Sequence, residues 1–424
     1  MNNKILNNYF FVLFSIIPIS IIFGSAISLI NILIIDCSFI VFLLFRKDYN
    51  FLSSKTVKLI FLLCLYLIFN SIISQDFSVG ALRNLGFIRF GILFVAFNYF
   101  FFDKVFFNKI LTVWSFVLSI VVIDVFIESF TGSNILGYGE AYGNRIVSFF
   151  KDEPIVGGFI NSLYLIIIGF FFSLNGNFSK NYRYILLTVS LIFMWSIILT
   201  GERSNSIKVF LGFLVFFTIN DNFKIKEKLI AILLLFILMA SLMNGSSYLK
   251  LRYKNQFLEP IIKMYKVKIK KEEVREIDIA YFKDNSNIKI YALLYKSGYS
   301  VFKNYPFFGV GNKNYRVVAC KDDVDINYIC NTHPHQTYLE LLAEHGLIGA
   351  TVVLFIFFNL IFSILKIILQ SKNYIQIGCF IFLILSLMPF IPTGAFFGDN
   401  IQTIFWLNLS IMYSVNKKTN IFKN

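Results

Sequence analysis

Residues 331–349, with the sequence NTHPHQTYLELLAEHGLIG, contain all three histidines of the chain. This stretch closes the only long polar region of an otherwise apolar sequence, and an apolar run long enough for a membrane helix begins directly after it. Residues 337–345 are predicted to form a short helix that ends at Gly346, because glycine suits the C-terminus of a helix. We therefore interpret the rest of the chain as a scaffold that holds this stretch just outside a lipid bilayer.

The composition excludes an ordinary soluble protein. Of the 424 residues, 57% are hydrophobic and only 15% are charged, which is too few to cover a soluble chain of this size. Apolar runs of about 18 residues or more predict membrane-spanning helices. The expected fold class is an all-α polytopic membrane protein with one large external loop that contains short helices. Twelve spans are predicted, at approximately residues 7–23, 27–45, 57–74, 85–102, 106–127, 155–174, 184–200, 206–220, 229–246, 347–369, 374–391 and 400–415.

The distribution of lysine and arginine predicts the orientation. If the N-terminus is cytoplasmic, every inside loop is basic, whereas the short outside loops contain few basic residues. Basic loops tend to stay in the cytoplasm, so both termini are predicted to lie there. The same bias accounts for much of the net charge of +15, and no nucleic-acid partner is expected. The predicted organisation is nine spans in residues 1–246, an external loop domain in 247–346, and three spans with a cytoplasmic tail in 347–424.

The long external loop has predicted elements of its own. Residues 288–303 have apolar positions at helical spacing, which predicts an amphipathic helix that ends before Pro306. Gly309 and Gly311 then allow a tight turn. Residues 263–271 mix lysines with apolar side chains, and two interpretations stay open: a segment that lies on anionic lipid or polymer, or a solvated charged face.

Three arginines are candidates for binding an anionic group, because a guanidinium is always charged and can bind oxyanions through two hydrogen bonds. Arg203 lies in the sequence TGERSN where one span ends and the next begins, and helix N-termini also favour anions. The alternative is an interfacial arginine that extends towards the headgroups. Arg145 lies in a loop too short to take it far from the bilayer. Arg89 lies inside a span, where a charge is either functional or paired with an acid such as Asp36 or Asp124.

His333 and His335 flank a proline, and their side chains would point to the same side of an extended segment. One interpretation is a metal site. However, the nearby Glu340, Glu344 and His345 continue into a helix without a recognised ligand spacing. The other interpretation is a general base, because a neutral imidazole near pH 7 can accept a proton from a substrate hydroxyl. The second is favoured, so neither a metal nor another cofactor is expected.

Cys320 and Cys330 flank a short polar segment on the predicted external side. Oxidising compartments permit disulfides, so a bond between these two residues is one hypothesis and two free thiols are the other. The remaining cysteines lie in apolar runs and are expected to be small core residues.

Four short motifs stand out in the chain: HPHQTYLE with EHGLIG (333–340 and 344–349), PFFGVG (306–311), TGERS (200–204), and Asn144-Arg145 with Phe149 and Asp152-Glu153-Pro154. Together they resemble motifs of the O-antigen ligase and polymerase superfamily. In the order given, they resemble the histidine motif that ends the large periplasmic loop of that family, its proline and glycine turn, its arginine loop and a third upstream motif. The resemblance covers roughly residues 130–400.

The resemblance implies an inverting, metal-independent glycosyl transfer at the periplasmic face of a bacterial inner membrane. The donor would be an undecaprenyl-pyrophosphate-linked glycan. His335 matches the essential histidine of the family and would be the catalytic base. Arg203 and Arg145 match its pyrophosphate-binding arginines.

The chain departs from the family pattern at two positions. Family members often have an arginine at the start of the helix before the proline and glycine turn, where the nearest basic residue here is Lys289, which lacks a guanidinium fork. They usually have asparagine where this chain has Gln336. Whether His333 supports His335 or is merely adjacent is open. The residues assigned to substrate binding are Arg203, Arg145, His333, Lys289 and Arg89.

One dominant loop late in the chain favours a ligase, which would transfer O-antigen to a sugar hydroxyl of lipid A–core. The alternative is a polymerase that joins lipid-linked repeat units, and transfer to a protein is a third version. A polysaccharide transporter or flippase would show charges along a path through the spans and often an internal repeat. The sequence has few intramembrane charges and no apparent repeat. The expected partners are therefore the lipid-linked donor, its glycan acceptor and membrane lipids.

Overall fold

The computed structural model describes residues 3–139, 145–151, 153–174, 179–259, 286–321 and 328–422. Within these ranges the chain forms helices and no strands, so the predicted all-α class is confirmed. The helices are α1 (Asn3–Ser15), α2 (Ile17–Ile22), α3 (Ser25–Arg46), α4 (Lys55–Ile72), α5 (Phe77–Gly86), α6 (Ile88–Phe100), α7 (Lys104–Thr131), α8 (Val156–Leu174), α9 (Lys180–Leu199), α10 (Arg203–Ile219), α11 (Ile225–Gly245), α12 (Ser247–Leu249), the π-helical α13 (Lys250–Leu258), α14 (Ser286–Asn304), α15 (Tyr315–Ala319), α16 (Thr337–Phe362), α17 (Leu365–Ser371), α18 (Tyr374–Ser386) and α19 (Asp399–Ser414). Short 3-10 segments occur at Asn50–Ser53 and Ser148–Phe150.

Eight helical segments among the described residues are long and apolar enough to cross a membrane, which confirms the polytopic class. They are Lys4–Ile22, Ser25–Arg46, Lys55–Ile72, Phe77–Phe100, Lys104–Thr131, Val156–Leu174, Asn181–Leu199 and Thr337–Ser371. The other predicted spans coincide with α10, α11, α18 and α19. The total of twelve spans stays a prediction, as do the three domain limits, the cytoplasmic termini and the external side.

Helix α8 lies at the centre of the helical bundle. Its sequence is apolar on nearly all sides, as is typical of a helix surrounded by other helices. It packs against α7, α9, α10, α18 and α19, and its apolar stretch is the most deeply buried of the eight segments. The N-terminus of α8 is therefore a fixed point on which loops at that end of the bundle can be built.

Helix α16 is broken at Gly346, which has φ 64° and ψ −172°. The predicted helix end at this residue is thus confirmed, but the chain resumes a helical path at once and continues to Phe362. The turn at residues 306–311 packs against the break and satisfies the backbone groups that it frees. Four backbone hydrogen bonds join the two segments: Leu347 N to Pro306 O (2.7 Å), Ile348 N to Phe307 O (3.1 Å), Val310 N to Ala343 O (3.0 Å) and Gly311 N to Glu344 O (2.8 Å).

The amphipathic helix predicted at residues 288–303 is confirmed as α14, which packs against α16. This contact brings α14 beside the histidine segment that precedes α16. The lysine-rich segment 263–271 lies outside the described residues, as do Asn144 and Asp152 of the upstream motif.

The tight contact between the turn and the break yields a stability prediction. A Cβ atom at Gly346 would collide with the carbonyl carbon of Phe307, and the positive φ adds backbone strain. Backbone strain alone costs roughly 1–3 kcal/mol. Because the collision adds to this cost, we expect Gly346→Ala to lower the free energy of unfolding by more than that amount. Thermal unfolding of the detergent-purified protein measures the loss.

Gly137→Ala is the matched control for this substitution. Gly137 also has a positive φ, of 81°, but no atom would lie within 4 Å of an added Cβ. Only backbone strain should therefore destabilise Gly137→Ala, and its Tm should fall less than that of Gly346→Ala. Equal shifts for the two variants would show that the contact with Phe307 contributes nothing.

Candidate functional site

A cavity of about 600 Å³ brings the predicted base and two of the predicted arginines together. His335, Arg145 and Arg203 all line it. They come from three distant parts of the chain: the segment before α16, the loop before α8 and the first residue of α10. The lining also includes Arg252 of α13, so three guanidinium groups and one imidazole share one space.

Hydrogen bonds to backbone carbonyls hold two of these arginines in place. Arg252 donates from Nε and Nη2 to the Gly201 carbonyl, at 3.2 and 3.1 Å, and from Nη1 to Gln256 Oε1 at 3.3 Å. Arg203 donates from Nη1 to the Gln256 carbonyl at 3.2 Å. Burial, followed by the positive charges of Arg252 and Arg145, lowers the pKa of Arg203. Such a cluster of like charges favours an anion between its members.

The Arg145 side chain has unused hydrogen-bonding capacity. Its Nε atom is buried and has no hydrogen-bond partner among the described residues. A buried donor without a partner is costly, and a ligand oxyanion would satisfy it. The positive charge of Arg145 acts on Glu202, the neighbour of Arg203 in the TGERS loop.

Glu202 anchors the arginine loop to the core of the bundle. Its carboxylate accepts hydrogen bonds from Gly157 N (2.7 Å) and Gly158 N (3.2 Å) in the first turn of α8, and from Asn205 Nδ2 (2.6 Å). An acid at a helix N-terminus is stabilised by the helix dipole. Burial nevertheless raises the pKa of Glu202, and the hydrogen bonds and Arg145 oppose this shift. The loop that carries Arg203 is therefore fixed to the most buried helix.

His335 faces the cavity from a strained backbone position. Its φ is 56°, and its carbonyl accepts a hydrogen bond from Thr393 N at 2.9 Å, in the connection between α18 and α19. The ring packs edge-on against Tyr291 of α14, with 5.9 Å between the ring centroids. Burial lowers the pKa of His335 below 6.5, so the imidazole is neutral at pH 7 and can accept a proton.

His333 lies beside His335 but is not part of the cavity lining. The two ring centroids are 4.0 Å apart. His333 Nδ1 pairs with the hydroxyl of Thr332 at 2.9 Å, and its Nε2 is buried without a hydrogen-bond partner among the described residues. Burial, with His335 as the next cause, lowers its pKa to about 4. This arrangement favours His333 as a support for His335.

Arg89 is paired within the helical bundle and is not brought to the cavity. Its Nη2 donates to Asp399 Oδ1 at 2.6 Å and its Nη1 to the Gly86 carbonyl at 3.0 Å. The expected partners Asp36 and Asp124 are therefore replaced by Asp399, because α6 packs against α19. This arrangement favours the structural alternative for Arg89 over substrate binding.

Lys289 lies near the start of α14, but its side chain is outside the described part of the chain. Two tyrosines further along this helix, Tyr291 and Tyr295, do line the cavity. Among the described residues no group of three or more histidine, cysteine, aspartate or glutamate side chains is arranged to hold a metal ion.

The sulfur atoms of Cys320 and Cys330 are joined as a disulfide, with the two Cα atoms 4.4 Å apart. The bond links the residue after α15 to the segment that leads into the histidines. It therefore restrains the chain immediately before the candidate base.

Sequence reasoning missed Arg252. The predicted arginines lie in spans or in the short outside loops, whereas Arg252 follows the predicted span 229–246 by a few residues. Its position gave a usable signal, because it is the first arginine after Arg203 and lies just beyond the end of a span. Its pairing with the Gly201 carbonyl could not be read from the sequence.

These features define an all-α polytopic membrane protein with a cationic cavity built from loops at the ends of its helices. Residues 187–354 match the model of the family described as O-Antigen ligase. The predicted resemblance to the O-antigen ligase superfamily is therefore confirmed over these residues. The match includes Arg203, Arg252 and His335 but ends before Thr393. Comparison with curated proteins gave no match.

The ion pair of Arg89 yields a second stability prediction. Asp399 binds both Arg89 and Arg83, and the Arg89 side chain is only 10% exposed. Removing the acid leaves a buried charge without its partner, so Asp399→Asn should cost about 3–5 kcal/mol. The exposed pair of Lys372 with Asp221 is the control, and Asp221→Asn should cost less than about 1 kcal/mol. Thermal unfolding that ranks the two variants in the opposite order would contradict this account.

Proposed function

We propose that this protein transfers a glycan from an undecaprenyl-pyrophosphate carrier to a sugar hydroxyl of lipid A–core, at the periplasmic face of the inner membrane. The family match supports lipid-linked glycan transfer of the ligase or polymerase type. The observation that carries the proposed chemistry is the single cavity shared by His335 and three arginines. A base beside a cationic site suits a reaction in which a hydroxyl attacks and a pyrophosphate leaves.

In the proposed reaction, Arg203, Arg145 and Arg252 bind the pyrophosphate of the donor. His335 accepts the proton of the acceptor hydroxyl, and the hydroxyl oxygen forms a bond to C1 of the donor sugar. The bond between C1 and the phosphate oxygen breaks with its electron pair, and undecaprenyl pyrophosphate leaves. Attack opposite the leaving group inverts the configuration at C1. Guanidinium groups stabilise the negative charge that develops on the leaving oxygen, so the proposed reaction requires no metal.

The transfer reaction should therefore keep full activity in excess chelator.

The second candidate is a polymerase that joins two lipid-linked repeat units. The same cavity and the same family match support it equally. Purified protein given lipid-linked repeat units with and without lipid A–core separates the two candidates. A ladder of longer lipid-linked glycans without lipid A–core would replace the ligase proposal with the polymerase. Net movement of intact lipid-linked glycan across vesicles, without any transfer, would favour a transporter instead.

The role of His335 as the base can be tested by comparison with its neighbour. His335→Gln keeps a polar side chain but removes the base, so transfer should fall by about 100-fold or more. His333→Gln should cost less, because His333 does not line the cavity. Transfer assays on purified protein, with binding of undecaprenyl diphosphate measured in parallel, give both values. A larger loss for His333→Gln would reassign the base.

The pH profile gives an independent check on the same residue. A general base works in its neutral form, and burial lowers the pKa of His335 from 6.5. The wild-type rate should therefore fall as the pH is lowered, with the midpoint of this fall below pH 6.5, and His335→Gln should lose this limb. A limb centred above pH 6.5 would be inconsistent with His335.

The need for a guanidinium at position 203 can be tested by Arg203→Lys. Lysine keeps the charge but cannot bind two oxygens with a planar fork, so kcat/KM should fall by about tenfold or more. Arg316→Lys is the control, because Arg316 is an exposed arginine of α15. Wild-type activity in Arg203→Lys would argue against bidentate phosphate binding.

A further inference from the structure

A second cavity, of about 340 Å³, adjoins the cationic one between the helices. Glu202, Asn205 and Thr393 line both spaces. The cationic cavity holds the arginines and His335, whereas the second one contains no arginine or histidine and has several phenylalanine and isoleucine side chains in its lining. The two cavities together thus form a strongly cationic compartment next to one with fewer charges, which suits a lipid with an anionic headgroup.

One lysine, Lys208, is among the residues that line this second cavity. Lys208 lies five residues after Arg203 on α10, which is about 7.5 Å further along the helix axis. Its ammonium has no hydrogen bond or ion pair with any residue in the described part of the chain. The nearby Glu202 is already occupied by Asn205 and by the amides of α8.

A buried ammonium without a partner is costly unless an anion binds there. A lysine is a compact point charge and suits a phosphate, whereas the arginine cluster suits bidentate contacts. A lipid pyrophosphate has two phosphates, one on the glycan side and one on the prenyl side. The proposed reaction takes place at the glycan side, so that phosphate must lie near His335 and Arg203. The prenyl-side phosphate then points towards the second cavity, where Lys208 lies.

We propose that Lys208 binds the prenyl-side phosphate of the donor, and that the second cavity takes the first isoprene units of its chain. This inference rests on the proposed function and assigns an orientation to its substrate. Lys208 lies away from the bond that breaks, so its removal should raise KM for the donor more than it lowers kcat. The same contact would hold a prenyl monophosphate, whose single phosphate takes the prenyl-side position.

Binding of two simple lipids to the purified full-length protein tests this orientation without any catalysis. The probes are undecaprenyl diphosphate and undecaprenyl monophosphate in detergent. Lys208→Gln should weaken binding of both lipids by about 10- to 100-fold, since each loses a charged hydrogen bond. Arg203→Gln should weaken binding of the diphosphate alone. Lys208→Arg, which keeps the charge, should bind both lipids nearly as wild type does.

Lys254→Gln is the matched control, because Lys254 is an exposed lysine of α13, and its binding should not change. Wild-type affinity of Lys208→Gln for both lipids, in a protein with normal gel filtration and Tm, would overturn the role of Lys208 alone. Weakened binding of the diphosphate only would place Lys208 on the glycan side and overturn the orientation. Failure of the wild type to bind either lipid would overturn the proposed function as well.

Discussion

The architecture depends on the backbone hydrogen bonds between the turn at residues 306–311 and the break in α16 at Gly346. Where lipid or protein replaces water, every peptide group needs a partner, and a helix break would leave several without one. The turn supplies these partners through four hydrogen bonds. It thereby joins the loop region rigidly to α16, and α14 packs against the same helix. The candidate base lies just before this helix, so the helix fixes its position.

The cationic cavity is an electrostatically unfavourable arrangement that the protein stabilises by other contacts. Arg203, Arg145 and Arg252 repel one another, yet carbonyls of Gly201 and Gln256 hold two of the three. The loop itself is fastened to the N-terminus of α8 through its glutamate. Because the cluster is held by the fold, a bound dianion gains attraction without first having to assemble its site. Preorganisation of this kind is what a reaction with an anionic leaving group requires.

The sequence predicted features that depend on local pattern and failed on those that depend on tertiary contacts. Apolar runs gave the helical class, amphipathic spacing gave α14, and the glycine gave the break in α16. Arginine chemistry and the family motifs selected two residues that the fold does bring to His335. The contact of Arg252 with Gly201 and the pairing of Arg89 with Asp399 join residues separated by 51 and 310 positions. No periodicity or motif indicates pairs at such separations.

The connection between α18 and α19 extends the functional unit beyond its recognisable part. Thr393 N bonds to the His335 carbonyl, and Phe396 N bonds to both oxygens of Glu340, at 2.9 and 3.0 Å. The family match ends at residue 354, so these contacts come from residues outside the matched segment. The backbone position of the candidate base therefore depends on the connection between α18 and α19 as well as on the motif residues around it.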